Sequence, residues 1–225
     1  MMYSFNDIVT YNWMELKIFS VEISDSTYTF NKLLLNLNES LANIKLKHKT
    51  EVAEDDGSEQ ALLQLEELVI NELEKQQHYA YCLAAHSSFE GKLKRICNKI
   101  ETEFNFKIKL ADLNGGNDLK KFYNYLEKVF EMDVRKMETA YKSICKHKIV
   151  RNKITHNNGI ISIDEKSEVS KLNLKELTIE SIEEKDMFQI KLNKDYFSVL
   201  NENISSFYKE LIPAIDERYK ILKLN

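Results

Sequence analysis

The residue types best suited to chemistry in this chain lie between positions 151 and 156. Asn152 directly follows Arg151, and His156 comes five residues after the arginine. An arginine holds an anionic phosphate with its planar fork of N–H donors. A histidine can accept or release a proton near neutral pH. The combination indicates chemistry on a phosphodiester, with Arg151, Asn152 and His156 as candidate catalytic residues.

The motif is expected at the end of a helix that runs from about Asp133 to Asn157. At 100° per residue, one face of this helix contains Val134, Met137, Tyr141, Ile144, Cys145, Lys148, Asn152, Thr155 and His156. This face changes from apolar to polar along its length, which predicts that it lines a cleft or an interface. Asn158 and Gly159 are typical of a left-handed C-cap, so His156 is expected in the last turn, where the helix dipole favours a protonated imidazole.

The charge distribution limits how nucleic acid could bind. A net charge of −4 argues against a broadly basic surface. A local basic run overlaps the motif and contains no acidic residue; its members are Lys142, Lys146, His147, Lys148, Arg151 and Lys153. A run of this kind also occurs on an ordinary solvated helix face. It is compatible with a confined anion-binding site or with a simple exposed surface.

Composition predicts a helical protein that works in the cytoplasm. The 225 residues include one proline and five glycines, which favours long helices over many turns. No run of about 18 apolar residues is present, so no membrane span is expected. The first residues lack the basic start and apolar stretch of a signal peptide. Cys82, Cys97 and Cys145 are odd in number and widely spaced, which suits free thiols in a reducing compartment.

The N-terminal half is predicted to be largely helical. Leucine spacing predicts a helix over residues 24–49, after a mixed apolar and aromatic segment from residue 5 to residue 23. Residues 54–58 predict a loop. Residues 59–103 predict a second helix with a kink or break near Gln76, because forty-odd residues is long for one globular helix. The inward stripe of this helix is expected to contain Leu62, Leu65, Val69 and Leu73.

The C-terminal half adds a small amount of β-structure. A turn at residues 114–117 is followed by a helix that Asp118 could cap. Residues 160–163 are extended in character, and residues 177–182 and 187–192 alternate as the two strands of a β-hairpin. A last helix begins near Phe197 and continues past Pro213 toward Leu222. The expected fold class is mainly α, a helical bundle with a small β-hairpin near the C-terminal helix.

The motif resembles that of HEPN-domain proteins, which carry an R-x4–6-H sequence with a polar residue after the arginine. Arg151, Asn152 and His156 match it, with Val150 before and Asn157-Asn158-Gly159 after. The segment that contains Phe89, Glu90, Leu93 and Cys97 resembles the earlier core helix of the family. The resemblance covers about residues 60–160. It implies a HEPN-like core over residues 58–160, an N-terminal segment of residues 1–57 packed on it, and residues 161–225 completing the same domain.

The resemblance implies a metal-independent endoribonuclease of the toxin or antiviral-defence type. It would need no cofactor and no metal, and would leave 2′,3′-cyclic phosphate and 5′-OH ends on RNA. His156 would act as general base or acid, Arg151 would bind the phosphate, and Asn152 would orient the phosphate or the imidazole. The candidate substrate-binding residues are Lys148, Lys153, Asn157 and Glu90. Family members typically form homodimers with a composite active site, and many are controlled by an antitoxin or another regulatory partner.

Four alternatives stay open at the level of sequence. A HEPN-like chain can be a non-catalytic module for RNA binding, protein binding or dimerisation. Glu90 could pair with Arg151 or His156 in the cleft, or make a structural bond between helices. His78, Cys82, His86 and Glu90 follow each other at four-residue spacing, so some could hold a metal ion or simply pack. Five tyrosines could pack in the core or stack on RNA bases, namely Tyr79, Tyr81, Tyr123, Tyr125 and Tyr141.

Overall fold

The computed structural model describes residues 32, 35–36, 38–53, 60–114 and 118–224. The expected mixed segment at residues 5–23, the loop at 54–58 and the glycines of the turn at 114–117 lie outside the described residues. The protein is mainly α-helical with a small antiparallel sheet, as the sequence predicted.

The helices of the described residues are α1 (38–53), α2 (Gln60–Phe104), α3 (Asp118–Asn124), α4 (Glu138–Asn157), α5 (Ile163–Ser170) and α6 (Lys194–Leu224). A wider helical turn, Tyr125–Val129, continues α3, and short 3-10 turns lie at Leu110–Asp112 and Arg135–Met137. The strands are β1 (Ile160–Ser162), β2 (Leu177–Ser181) and β3 (Met187–Leu192). None of the described helices is long and apolar enough to cross a membrane.

The sheet has the strand order β1-β3-β2, with both pairings antiparallel. The β2–β3 hairpin is the one predicted from the alternating pattern, with Ile179 opposite Ile190. β1 pairs on the other edge of β3, where Ile161 lies opposite Phe188. β1 directly follows α4, so its pairing with β3 fixes the position of the end of the helix that carries the motif.

One apolar core joins the helices and the sheet. It contains residues from α2, α3, α4 and α6 and from β1 and β3. Phe89 of α2 lies at its centre and meets Phe207 and Tyr208 of α6 in edge-to-face contacts with centroid distances of 5.3 and 5.4 Å. Such pairs add to the free energy gained by burying their area. Residues before and after position 160 therefore share a single core.

α2 is one continuous helix of 45 residues, so the predicted kink or break near Gln76 is wrong. Neither proline nor glycine lies near this position to interrupt the hydrogen bonds. Nε2 of Gln76 donates to Oε1 of Glu72, one turn earlier, at 2.8 Å, which supports the helix locally.

The predicted inward stripe is also wrong in the N-terminal part of α2. Leu62, Leu65, Val69 and Leu73 are 52–57% exposed, whereas Leu63 and Ile70 are buried. The inward side faces α1, where Nζ of Lys45 lies 2.6 Å from a carboxylate oxygen of Glu74. Apolar residues occur on both sides of this part of α2, so spacing alone does not indicate which side packs.

The C-terminal region follows the prediction with one addition. α6 continues through Pro213, which is exposed, so the backbone carbonyl released by the proline can face water. α5 was not expected. Its N-terminus is a capping box in which Oγ of Ser162 accepts from the backbone N–H of Glu165, and the Glu165 carboxylate accepts from the N–H of Ser162.

Candidate functional site

The helix α4 ends as the sequence predicted. Asn158 is the C-cap in a left-handed conformation with φ 50° and ψ 34°, and Gly159 follows with φ 71°. The backbone N–H groups of both residues donate to the carbonyl of Lys153. The end of the helix is thus closed by backbone hydrogen bonds. His156 lies in the last turn, where a cation interacts favourably with the helix dipole.

A network from α2 and β3 fixes this helix end. Nε2 of Gln189 donates to the carbonyl of Asn158 at 3.1 Å and to Oη of Tyr79 at 2.6 Å. Oη of Tyr79 donates to the carbonyl of Ile190. The N–H of Ile190 donates to the carbonyl of Gly159 at 2.9 Å. Sequence reasoning did not identify Tyr79 and Gln189 as parts of the site, because their partners are distant in the chain.

The inward face of α4 differs from the prediction after Lys148. Val134, Met137, Ile144 and Lys148 are buried as expected, but Thr155 and His156 are exposed. Arg151 and Asn152 are partly buried. The buried positions at the end of the helix are Val150 and Ile154. The core in this region needs apolar side chains, so the helix turns Val150 and Ile154 inward and leaves His156 in solvent.

Arg151 and His156 have different environments. Nη1 of Arg151 donates to Oδ1 of Asn152 at 3.1 Å, while Nε of Arg151 is sealed from solvent and has no hydrogen-bond partner among the residues that the structure describes. His156 makes no hydrogen bond or ion pair with any residue that the structure describes. Within those residues, no hydrogen bond joins Arg151 to His156 in one protomer. Their side chains leave the helix about 140° apart, as ideal geometry requires.

Lys148 and Glu90 form an ion pair between α4 and α2. Nζ of Lys148 lies 2.5 Å from Oε1 of Glu90, and both side chains are largely buried. Of the two alternatives for Glu90, the structural bond between helices is the one observed. Its partner is Lys148 and not Arg151 or His156. Both groups were candidate substrate-binding residues, and each charge is balanced by the other.

Acidic residues also neutralise much of the remaining basic run. Nζ of Lys153 lies 2.9 Å from Glu165 and 3.1 Å from Glu168, both on α5. The hydrogen bond to Glu165 and the second acidic neighbour raise the pKa of Lys153. Asn157 is exposed and free to contact a ligand. Arg151 makes no ion pair with a described residue, so it remains the main candidate for binding an anion.

Two neutral imidazoles lie behind Arg151 in the interior. His86 of α2 and His147 of α4 are fully buried. Burial, together with the smaller effects of nearby His147, Arg151 and Lys148, lowers the pKa of His86 to about 3. Burial also lowers the pKa of His147, whose Nδ1 lies 2.9 Å from the carbonyl of Ser143 and must therefore donate to it. Neither ring nitrogen of His86 has a partner in the described part of the chain.

The row His78, Cys82, His86 and Glu90 does not converge on one point. His78 lies against Phe197, with ring centroids 5.0 Å apart, and Glu90 bonds Lys148. In the described ranges, the group of three potential ligands close enough to share an ion lies between α1 and α2 instead.

The tyrosines are placed mainly in the core. The buried ones are Tyr79, Tyr81, Tyr123 and Tyr125. Tyr141 is partly buried and stacks on Tyr123, with ring centroids 3.9 Å apart. These rings pack against protein in the protomer.

Comparisons with family models, curated proteins and solved structures gave no match to this chain.

Proposed function

We propose that this chain is a cytoplasmic, metal-independent endoribonuclease of the toxin or antiviral-defence type, with Arg151, Asn152 and His156 at its active site. The observation that carries the proposal is that neither His156 nor Arg151 has an acidic partner among the described residues. His156 is exposed and unpaired among the described residues, and the guanidinium of Arg151 has no acidic partner there. Both groups are thus available to a ligand.

The reaction needs two proton transfers and one stabilised anion. The 2′-oxygen of the RNA attacks the adjacent phosphorus, a base removes its proton, and an acid protonates the departing 5′-oxygen. His156 is suited to either transfer, and Arg151 to the charge that grows on the phosphate oxygens. Asn152 bonds Arg151 and can orient its guanidinium. The products are a 2′,3′-cyclic phosphate and a 5′-OH.

A single imidazole cannot easily perform both transfers, so the proposal includes a homodimer in which two motifs face one cleft. The exposed position of His156 at a helix end supports this arrangement, since a partner can approach it. Lys148, Lys153, Glu90 and Asn157 remain proposed contributors to substrate binding. The first three are expected to contribute less than Arg151, because their charges are already paired. Control by an antitoxin or another regulatory partner belongs to the same proposal.

The test is an RNA cleavage assay in EDTA with analysis of the product ends. Cyclic phosphate ends are expected, and His156→Ala or Arg151→Ala should each lower the rate by about 10²-fold or more. His156→Ala should leave the free energy of unfolding within about 0.5 kcal/mol, because the side chain is exposed. Lys142→Ala is a matched control, since the partner of Lys142 among the described residues is Glu138 on the same helix. Cleavage that requires a metal, or that survives His156→Ala, would refute the proposal.

A concentration series tests the dimer. If two motifs form one site, specific activity should fall as the protein is diluted below its dimerisation constant. Activity that stays proportional to protein concentration, in a species that remains a monomer, would contradict the composite site.

The second candidate is a non-catalytic module for RNA binding, protein binding or dimerisation. The pairing of Lys153 with two acidic residues and the partial burial of Arg151 favour it. Overexpression distinguishes the two functions in cells. A toxic nuclease should arrest growth and its His156→Ala variant should not, whereas a binding module should give the same result with and without the imidazole.

A further inference from the structure

Three potential metal ligands meet between α1 and α2. His48 and Glu51 lie three residues apart on α1, and therefore on one face of it. Glu66 reaches them from α2. The ligand atoms of the three side chains all lie within 4.8 Å of one another. In the part of the chain that the structure describes, no other three histidine, cysteine or acidic side chains come this close.

The imidazole of His48 points to an ion. Its side chain is only 11% exposed, and its Nδ1 is sealed from solvent and has no hydrogen-bond partner among the described residues. Oε2 of Glu66 lies 3.4 Å from this atom, which is longer than the about 2.8 Å of a charge-assisted hydrogen bond. Two ligands of a tetrahedral zinc ion, each bonded at about 2.0 Å, are about 3.3 Å apart. The separation fits two atoms that share a cation.

The charges of the site suit a divalent cation. The two carboxylates carry negative charge, and the imidazole offers a nitrogen ligand. The competing cation is Lys47, whose Nζ lies 3.5 Å from Glu51 in an exposed pair that contributes little. Lys45 is occupied by Glu74 at 2.6 Å. An imidazole nitrogen among the ligands favours Zn²⁺ over Mg²⁺ or Ca²⁺, which prefer oxygen ligands alone.

We propose that His48, Glu51 and Glu66 bind a Zn²⁺ ion that links α1 to α2, with water at a fourth position. Binding couples to the packing of the two helices, because the ligands come together only when α1 lies against α2. The ion would therefore stabilise this contact in proportion to its concentration and affinity. The site shares no residue with the proposed nuclease motif, so either proposal can fail without the other.

The test uses the full chain, stripped of metal with a chelator that is then removed. Calorimetric titration should show one Zn²⁺ per chain and no comparable binding of Mg²⁺. Co²⁺ should give the visible absorption of a tetrahedral site, and Zn²⁺ should raise the thermal unfolding temperature. His48→Ala and Glu66→Gln should each abolish all three effects. His156→Ala and Cys145→Ser should keep them, because these remove other accessible ligands outside the site.

The variant Lys47→Ala separates the loss of a ligand from misfolding, because its expected effect is tighter rather than weaker binding. Removing this competing charge leaves every ligand in place and should tighten Zn²⁺ binding severalfold. Zn²⁺ binding that is unchanged in His48→Ala overturns the proposal. So does weaker binding in Lys47→Ala, or a folded full chain that binds no Zn²⁺.

Discussion

The residue that most sharply defines the end of the motif helix is Gly159. Its φ of 71° lies in the left-handed region that side chains rarely adopt, and a Cβ added there would lie 2.1 Å from Oη of Tyr79. The close approach is what allows Tyr79 and Gln189 to hold the helix end. A glycine is therefore needed for space as well as for backbone conformation.

Gly159→Ala is expected to destabilise the protein by about 3 kcal/mol, since it combines a strained φ with displacement of the Tyr79 ring. Urea-induced unfolding would measure the change. Gly91→Ala is the matched control, because Gly91 lies inside α2 and a Cβ there meets nothing within 4 Å. That substitution should stabilise by up to about 1 kcal/mol. Equal effects of the two changes would show that the contact with Tyr79 does not constrain this turn.

The motif residues themselves illustrate what sequence can and cannot assign. The identity and order of Arg151, Asn152 and His156 are visible in the chain, and so is the cap after them. Their accessibility is not, because Val150 and Ile154 compete for the inward side of the same helix. Arg151 is consequently held half-buried near His86, while His156 projects into solvent.

At the scale of elements, the ion pair Lys148–Glu90 connects α4 to α2 across the edge of the core. Its partners are 58 residues apart, so it contributes to the relative position of α2 and α4. Removing one partner leaves a largely buried charge uncompensated.

Glu90→Gln or Lys148→Met alone is expected to cost about 2–3 kcal/mol, somewhat below a fully buried pair because water reaches part of both side chains. The double substitution should cost clearly less than the sum, since it leaves no unpaired charge. Chemical denaturation of all four proteins gives the coupling. Lys142→Met provides the control, because its exposed pair with Glu138 should be worth under about 0.5 kcal/mol. Additive single effects would mean that the pair is not coupled.

At the scale of the whole molecule, buried neutral histidines make stability depend on pH. Burial lowers the pKa of His78, His86 and His147. An unfolded histidine has a pKa of about 6.5. Between this value and about 3, the unfolded chain binds a proton at position 86 that the folded protein excludes. The stabilisation that comes from keeping His86 neutral is therefore fully present above the pKa of the unfolded histidine. It is lost as the pH falls toward the lower pKa of the folded protein.

His86 alone should lower the free energy of unfolding by about 1.4 kcal/mol between about pH 7.5 and about pH 5.5, a range in which most carboxylates stay ionised. His86→Gln removes this titration. The slope of the free energy of unfolding against pH should therefore decrease by the equivalent of up to one bound proton. The measurement is urea unfolding across this pH range. An unchanged slope in His86→Gln would contradict a neutral buried His86.

The sequence by itself determined the mainly helical character, the β2–β3 hairpin and the end of α4 at Asn158 and Gly159. These features depend on local backbone preferences and on spacing within a few residues, which the chain displays directly. Ser162 and Glu165 form a capping box that is equally local, but no helix was expected there.

Only the tertiary structure decided which side of a helix is buried and which partner each charge finds. The leucine stripe of α2 lies outward because α1 packs on the side of Leu63 and Ile70. The ammonium groups of Lys148 and Lys153 form ion pairs with acidic residues on other helices. Spacing fixes the period of a helix, but its orientation depends on contacts between residues far apart in the chain, and these form only when the whole core packs.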